Sequence, residues 1–323
     1  MEVIKPEPIT IGNKLKSFEH GTEVGTTIEA LERGEPILIK QFYNGGISLL
    51  ENLHKYLKLK LPKKSFQEQQ KYRSEYHRLS NLILLEIVDQ KLCVKKCPNI
   101  GWLEKFYPEN NHFFLTFPQV QGLNSAWQWY KNGISIPVVR NKIHPYYGTY
   151  FPTRFEHLVL FDNWLKYYRG SKKTAIDVGV GCGVLSLQMV QHGFQKVYAT
   201  DINPNAIIGL KEFMGTTKLS RKIELDFGYL FGKWKKQTEL IVFNPPWLPE
   251  THVLSSIDEA IYYNKTLFSD FFAAAKKRLL PEGKLVLIFS ILAQITNVTT
   301  EHPREIELAE GNRFQLKRCF KKS

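Results

Sequence analysis

From about Tyr146 onward the apolar positions change period at short intervals. Arg154–Tyr168 places Leu158, Phe161 and Leu165 on one face, with Asp162 in step, and this spacing predicts an amphipathic helix. Short apolar runs follow at Thr174–Val178, Lys196–Thr200, near Ile223, at Leu240–Phe243 and at Lys284–Phe289, each bounded by turn-forming residues. Helical spacing returns between them in Val184–His192, Asn205–Met214 and Lys265–Leu279, and Pro281-Glu282-Gly283 reads as a turn before the last run. Strands that alternate with helices predict an α/β fold: a doubly wound, mainly parallel sheet. Ligands of such sheets bind outside the carboxyl ends of the strands, where the strand order reverses.

The first 145 residues have another texture. Residues 1–20 read as a loosely structured lead-in. Thr27–Arg33 with Gly34 behind it predicts a short helix with a glycine at its C-terminal end. A longer helix is predicted over Ser48–Leu61, where Leu49, Leu50, Leu53, Tyr56 and Leu57 recur before Pro62, and a third over Ser65–Leu79. Two extended runs, Leu82–Val88 and Lys91–Lys95, meet at Asp89-Gln90 as a hairpin. Beyond them the chain is aromatic and irregular until a strand at Ile134–Val139. The expected organisation is a separate α+β N-terminal domain over 1–145, a candidate for substrate recognition, and a second domain over 146–323 that carries the chemistry.

Hydrophobic content of 43% and charged content of 23% describe an ordinary globular chain. Met1–Pro6 is polar and broken by proline, so no secretory signal is expected. The longest apolar stretch, Leu285–Ala293, is about half of the ~20 residues a bilayer span needs, so no membrane span is expected either. A cytoplasmic protein is the reading that follows, and in it the sequons at Asn264 and Asn297 carry no meaning. Cys93, Cys97, Cys182 and Cys319 are too few for a disulfide scaffold. No second Cys or His pair follows Cys93 and Cys97 at zinc spacing, so no metal site is expected.

The net charge of +13 is unevenly spread. Residues 1–51 carry −3, residues 52–105 carry +7, residues 106–150 carry +2 and residues 151–323 carry +7. The 52–105 block fits a polyanion such as RNA and fits equally a solvated helical face. The aromatic run Trp127-Gln128-Trp129-Tyr130 likewise reads as a base-stacking surface or as core packing.

Candidate chemistry sits just after predicted strands. Asp177-Val178-Gly179-Val180-Gly181-Cys182-Gly183 leads from the strand Thr174–Val178 into a helix. Gly179, Gly181 and Gly183 let the backbone take left-handed angles and come close to a ligand. The helix behind them aims free amide groups at that ligand. Asp201, 24 residues after Asp177, ends the next strand, where a carboxylate meets ribose hydroxyls. A dinucleotide fingerprint needs Gly or Ala where Val184 stands.

The strand Leu240–Phe243 runs into Asn244-Pro245-Pro246-Trp247. Two prolines fix the backbone and remove two donors. The Asn244 side-chain carbonyl and the Pro245 backbone carbonyl can then each accept one N–H of a planar amide or amino group. That arrangement favours a pyramidal nitrogen whose lone pair faces a methyl donor, and positioning supplies most of the effect without a strong base. Trp247 offers an aromatic plate to the planar target and to a cationic sulfur.

These residues resemble the class I S-adenosylmethionine-dependent methyltransferases that bear an Asn-Pro-Pro-aromatic motif, and most of all the HemK/PrmC glutamine methyltransferase group and related N-methyltransferases. The resemblance spans roughly 146–300. It implies a Rossmann-like methyltransferase sheet, S-adenosylmethionine as cofactor, and Asp177 near its methionine end. It also includes Tyr150–Leu158, where Pro152 and Glu156 match a proline and an acidic residue near the methionine end and the substrate. The acidic residue that meets the adenine amino group falls here on Tyr229, with Asp226 three residues earlier. Little chain is left for a last strand at Asn312–Phe320, and residues 1–145 do not match the family's small helical domain.

The expected enzyme therefore methylates a planar nitrogen, either a protein glutamine amide or the amino group of a nucleobase. The catalytic candidates are Asn244, Pro245 and Trp247. The cofactor-binding candidates are Asp177, Gly179, Gly181, Gly183, Asp201, Tyr229 and Glu156. A catalytically idle scaffold of the same fold is one alternative. A nicotinamide (NAD) oxidoreductase is another, and it leaves Asn244–Trp247 without a role.

Overall fold

A computed structural model of the chain describes residues 1–11, 15–61, 66–249, 262–296 and 298–320. Pro62, Ser65 and Asn297, which figure in the expectations above, lie outside the described residues. The chain forms two compact units, Lys5–Gln128 and Met1–Ile4 together with Trp129–Ser323. The division falls inside a helix, so residues 129–145 group with the C-terminal unit and not with the domain expected over 1–145.

In the unit Lys5–Gln128, β1 (Lys16–Phe18), β2 (Ile37–Ile39) and β3 (Ile83–Val88) are parallel neighbours. β4 (Lys91–Leu92) and β5 (His112–Thr116) pair with β3 in the antiparallel sense. α1 (Val24–Glu32) gives way to Gly34 at φ +82°, and α2 (Tyr43–Lys60) buries Leu49, Leu50, Leu53 and Leu57. α3 (Phe66–Ser80) leads into β3. In the hairpin, Asp89 and Gln90 both adopt positive φ, as a two-residue type I′ turn requires.

The stretch expected to be irregular is largely regular. It holds α4 (Gly101–Phe106), β5 and α5 (Phe117–Asn132). α5 starts directly from β5 because Thr116 and Gln119 cap each other: Gln119 N donates to Thr116 Oγ1 (3.3 Å) and Thr116 N donates to Gln119 Oε1 (3.0 Å). The strand expected at Ile134–Val139 is reduced to one antiparallel bridge between Ile134 and Ile143. Pro137 lies inside it and offers no donor to a ladder.

The C-terminal unit follows the expected alternation. Its elements are α6 (Glu156–Tyr167), β6 (Thr174–Val178), α7 (Val184–Gln191), β7 (Lys196–Asp201), α8 (Pro204–Gly215), β8 (Ile223–Phe227) and β9 (Thr238–Phe243). After the short pair β10 (Leu248–Pro249) and β11 (Tyr262–Tyr263) come α9 (Leu267–Arg278), β12 (Leu279–Leu287), α10 (Leu292–Ile295) and α11 (Pro303–Ile306). The five-stranded sheet has the order β12-β9-β6-β7-β8 and is parallel throughout. Pro281-Glu282-Gly283 is no turn: it lies within edge strand β12, where the register shifts between Leu279 and Lys284. Among the described residues, Asn312–Phe320 adds no strand.

Alternation along the strands divides the core in two. Ile176, Val178, Ile241 and Phe243 cluster with Leu267, Phe268, Phe271 and Phe272 of α9. Ala175, Val197, Ala199, Leu240 and Val242 cluster with Leu158 and Phe161 of α6, Leu185 of α7 and Leu210 of α8. With both faces covered, the carboxyl edge of the sheet is left as the ground for a site.

Candidate active site

The chain lays β7 and β8 on one side of β6, then crosses to place β9 on the other. The reversal between β6 and β9 opens the crevice in which such sheets bind ligands. In register, Val178 stands opposite Thr200 on one side and Phe243 on the other. The next residue of each chain is therefore Gly179, Asp201 and Asn244, delivered to one level on adjacent strands about 4.8 Å apart. Three sequence candidates thus meet at a single edge.

The glycine loop behaves as its composition requires. Gly179, Gly181 and Gly183 have φ of +68°, +50° and +87°. A Cβ on Gly183 would lie 2.6 Å from Leu210 Cδ2, so this glycine also allows α8 to close on the loop. Asp201 ties the loop to its own strand end: Gly181 N donates to Oδ2 and Asn203 N to Oδ1, both at 2.8 Å. With about four lone-pair sites the carboxylate keeps room for a further donor. Burial raises the Asp201 pKa, opposed by backbone N–H groups of Asn203, Gly181 and Ile202. Asn203 caps α8, with Pro204 in the first turn, and its amide also donates to the Gly148 carbonyl.

Asp177 is fully buried. Its Oδ2 accepts from Ser186 Oγ at 2.6 Å, and its Oδ1 has no hydrogen-bond partner among the described residues. Burial pushes its carboxyl up to about 7, against the opposing effect of Ser186. The folded chain therefore holds this proton more tightly than the unfolded one. The stabilisation is complete below the ordinary carboxylate pKa of about 4 and is lost as pH rises through about 7. Asp177→Asn, which keeps an acceptor for Ser186, should remove a stability slope of up to about 1.4 kcal/mol per pH unit across that window. Urea denaturation of both proteins from pH 5 to 8 measures the difference, and parallel curves would refute the assignment.

Asn244 is half-buried at the end of β9, whose six residues are all buried, and Pro245 is buried behind it. Trp247 is half-buried, with its ring centroid 6.2 Å from that of Tyr150 at an interplanar angle of 63°. The Tyr150 carbonyl in turn lies 3.4 Å from where a Gly181 Cβ would stand. Tyr150, not singled out in the sequence, thus spans from the glycine loop to Asn-Pro-Pro-Trp. Glu156 opens α6 and is exposed.

Two further residues went unnoticed in the sequence. Ile202 and Phe227 are 54% and 46% exposed at the ends of β7 and β8, where strand-end apolar residues read as core. Phe227 stands opposite Asp201 in register, so the two form an apolar rim beside the carboxylate. Tyr229, just beyond, is 45% exposed and donates its hydroxyl to Asp270 Oδ2 at 3.2 Å. Asp226 is occupied elsewhere, accepting from Lys233 N at 2.6 Å. The carboxylate beside Tyr229 is Asp270 of α9.

Trp127-Gln128-Trp129-Tyr130 is divided by the boundary between the units. Trp127 packs edge-on against Trp102, whereas Trp129 is 45% exposed. Within the 52–105 block, Lys60 pairs with Glu32 and Arg78 with Glu75. Among the described residues no cluster of His, Cys, Asp and Glu forms a metal site, and no helix is long and apolar enough to cross a membrane.

Parallel strands that bring such a loop and such a turn to one edge define the class of S-adenosylmethionine-dependent methyltransferases. Within it, residues 159–317 match the family model described as the methyltransferase small domain. A release factor glutamine methyltransferase of Dictyoglomus turgidum is 32% identical over 42% of this chain and 52% of its own. A ribosomal protein L11 methyltransferase of Anoxybacillus flavithermus is 25% identical over 53% and 61%, respectively. A tRNA1(Val) (adenine(37)-N6)-methyltransferase of Shewanella halifaxensis is 27% identical over 36% and 50%. The chain thus spans about half to three fifths of these curated relatives. The solved L11 methylase of Lactobacillus delbrueckii subsp. bulgaricus superposes with a TM-score of 0.41 and 21% identity over 58% of this chain and 85% of that one, too loosely to speak of function.

The residues present fit S-adenosylmethionine. Asp177 offers a buried carboxylate oxygen without a partner, and three glycines with positive φ line the approach. Asp201 has acceptor capacity to spare, and Ile202 and Phe227 leave apolar surface beside it.

Proposed function

We propose that this protein is an N-methyltransferase that transfers the methyl group of S-adenosylmethionine to a planar amide or exocyclic amino nitrogen in a protein or nucleic-acid substrate. The observation that carries this reading is the common level of Gly179, Asp201 and Asn244 on three neighbouring strands. When bound, the cofactor supplies an electrophilic methyl on a cationic sulfur. Asp201 holds the ribose and the loop together, and Asp177 turns its unpartnered carboxyl oxygen to the methionine end. Ile202, Phe227 and the Tyr229–Asp270 pair border the adenine, and Glu156 orients the methionine end. Asn244 and Pro245 accept the two N–H groups of the target through their carbonyls, and Trp247 stacks on its plane. In-line positioning then provides the rate, with no strong base required. Free cysteines at Cys93 and Cys97 suit a cytoplasmic setting.

Transfer of label from S-adenosylmethionine to a cell extract, with Asn244→Ala as the blank, tests the reading. Label removed by nuclease identifies a nucleic-acid acceptor, and label removed by protease a protein one. Cofactor binding without label above the blank would overturn it.

A further inference from the structure

We infer that the rim formed by residues 129–155 and Trp247 is a track for an unpaired strand of nucleic acid, and that it brings the exocyclic amino group of one base to Asn244. This rests on the N-methyltransferase reading and names its substrate class.

Two aromatic pairs compose the track. Tyr150, 38% exposed, meets Trp247 of the Asn-Pro-Pro-Trp turn. Its neighbour Phe151 meets the exposed Trp129, with ring centroids 5.5 Å apart and planes at 51°. Phe161, Phe194, Phe231, Phe243 and Phe271 of the same unit are buried in its core, and Tyr167, Phe227 and Tyr229 are exposed outside this segment. Tyr150 and Trp129 are exposed and their partners Trp247 and Phe151 half-buried, and rings set in such pairs are what successive bases stack on, whatever their sequence.

Charge supplies the second, independent argument. Residues 129–155 contain Lys131, Arg140, Lys142 and Arg154 and not one Asp or Glu. All four cations are exposed, and Lys142 donates to the Asn132 carbonyl rather than to a carboxylate. The four cations leave this segment net positive, with Glu212 engaged by the Tyr130 hydroxyl at 3.0 Å and Glu156 exposed just past its end, and that balance suits phosphates flanking an unstacked base. A glutamine peptide added to a sheet edge would be gripped through backbone hydrogen bonds and would not need the stacking rings. A paired base would have to leave its helix first, so unpaired strands are the favoured partner.

Fluorescence anisotropy on the full chain tests this with a labelled 12-nucleotide RNA of mixed sequence, the matching DNA and the RNA as a duplex. The wild type should bind single strands more tightly than the duplex, and a preference between RNA and DNA identifies the natural strand. Trp129→Ala and Tyr150→Ala should each weaken single-strand binding by roughly tenfold, while Tyr150→Phe retains it. The double variant Lys142→Ala/Arg154→Ala should reduce the salt slope by about 1 to 2. Calorimetry with S-adenosylmethionine on Trp129→Ala, expected to match the wild type, shows that the variant is folded. Equal binding of duplex and single strand, or undiminished binding by folded Trp129→Ala and Tyr150→Ala, overturns the track. Asn244-dependent methylation of a glutamine peptide together with no oligonucleotide binding sinks the track and leaves the parent reading standing. A wild type that binds no cofactor sinks the parent reading instead.

Discussion

Asn244→Ala should lower the turnover of methyl transfer by about 100- to 1000-fold and leave the dissociation constant for S-adenosylmethionine within about twofold. The size follows from removing one positioned hydrogen-bonding group from a reacting centre, which costs about 2.7–4 kcal/mol in the transition state. The selectivity follows from where the residue stands. Asn244 comes after the last residue of β9, and the ladder ends before it, with Ile288 N donating to the Phe243 carbonyl at 2.9 Å. Truncating its side chain breaks no hydrogen bond of the sheet, and Pro245 and Pro246 hold the backbone in place. Asn244→Asp keeps an acceptor at the same point and should recover part of the rate, which a purely structural role would not predict. Single-turnover kinetics with labelled cofactor, beside calorimetric titration of each variant, separates chemistry from binding. An unchanged rate for Asn244→Ala, or a loss confined to cofactor affinity, removes the proposed role.

What could be read in the sequence divides along a physical line. The glycine loop was legible because its requirement is local: Gly179, Gly181 and Gly183 all adopt left-handed angles that other residues resist. The parallel strands were legible because strands buried on both faces are written as short apolar runs. α5 was not foreseen, although its capping pair Thr116 and Gln119 was present, because the aromatic run around it masks helical period. Pro281 and Gly283 spoke for a turn, yet β12 is an edge strand and absorbs them as an irregularity in register. Asp270 was beyond reach for another reason. It meets Tyr229 across 41 residues, and no local pattern encodes such a contact. The exposure of Ile202 and Phe227 was hidden likewise, since an apolar residue at a strand end looks the same whether it faces the core or a ligand.

Asp201→Ala should have the opposite signature to Asn244→Ala, with cofactor affinity reduced by about 30- to 1000-fold and turnover at saturating cofactor lowered less than tenfold. Two losses combine. The carboxylate would give up the hydrogen bonds proposed for it to ribose, worth about 1.5–3 kcal/mol for a charged acceptor. The backbone N–H groups of Gly181 and Asn203 also lose their acceptor, so the loop is no longer held in its binding shape. Together they amount to about 2–4 kcal/mol, at 1.4 kcal/mol for each factor of ten. Asp201→Asn should rescue little, because its amide oxygen can serve one of the two N–H groups while its NH2 confronts the other. The two losses can be told apart with a cofactor analogue that lacks the ribose hydroxyls. If Asp201 contacts the ribose, the wild type should discriminate against the analogue and Asp201→Ala should not. If it only shapes the loop, both proteins should discriminate equally, and the ribose contact would be refuted while the role of Asp201 in holding Gly181 survived. Equal affinity of Asp201→Ala and wild type for the intact cofactor would refute both, because the carboxylate would then join the strand ends without consequence for the ligand between them.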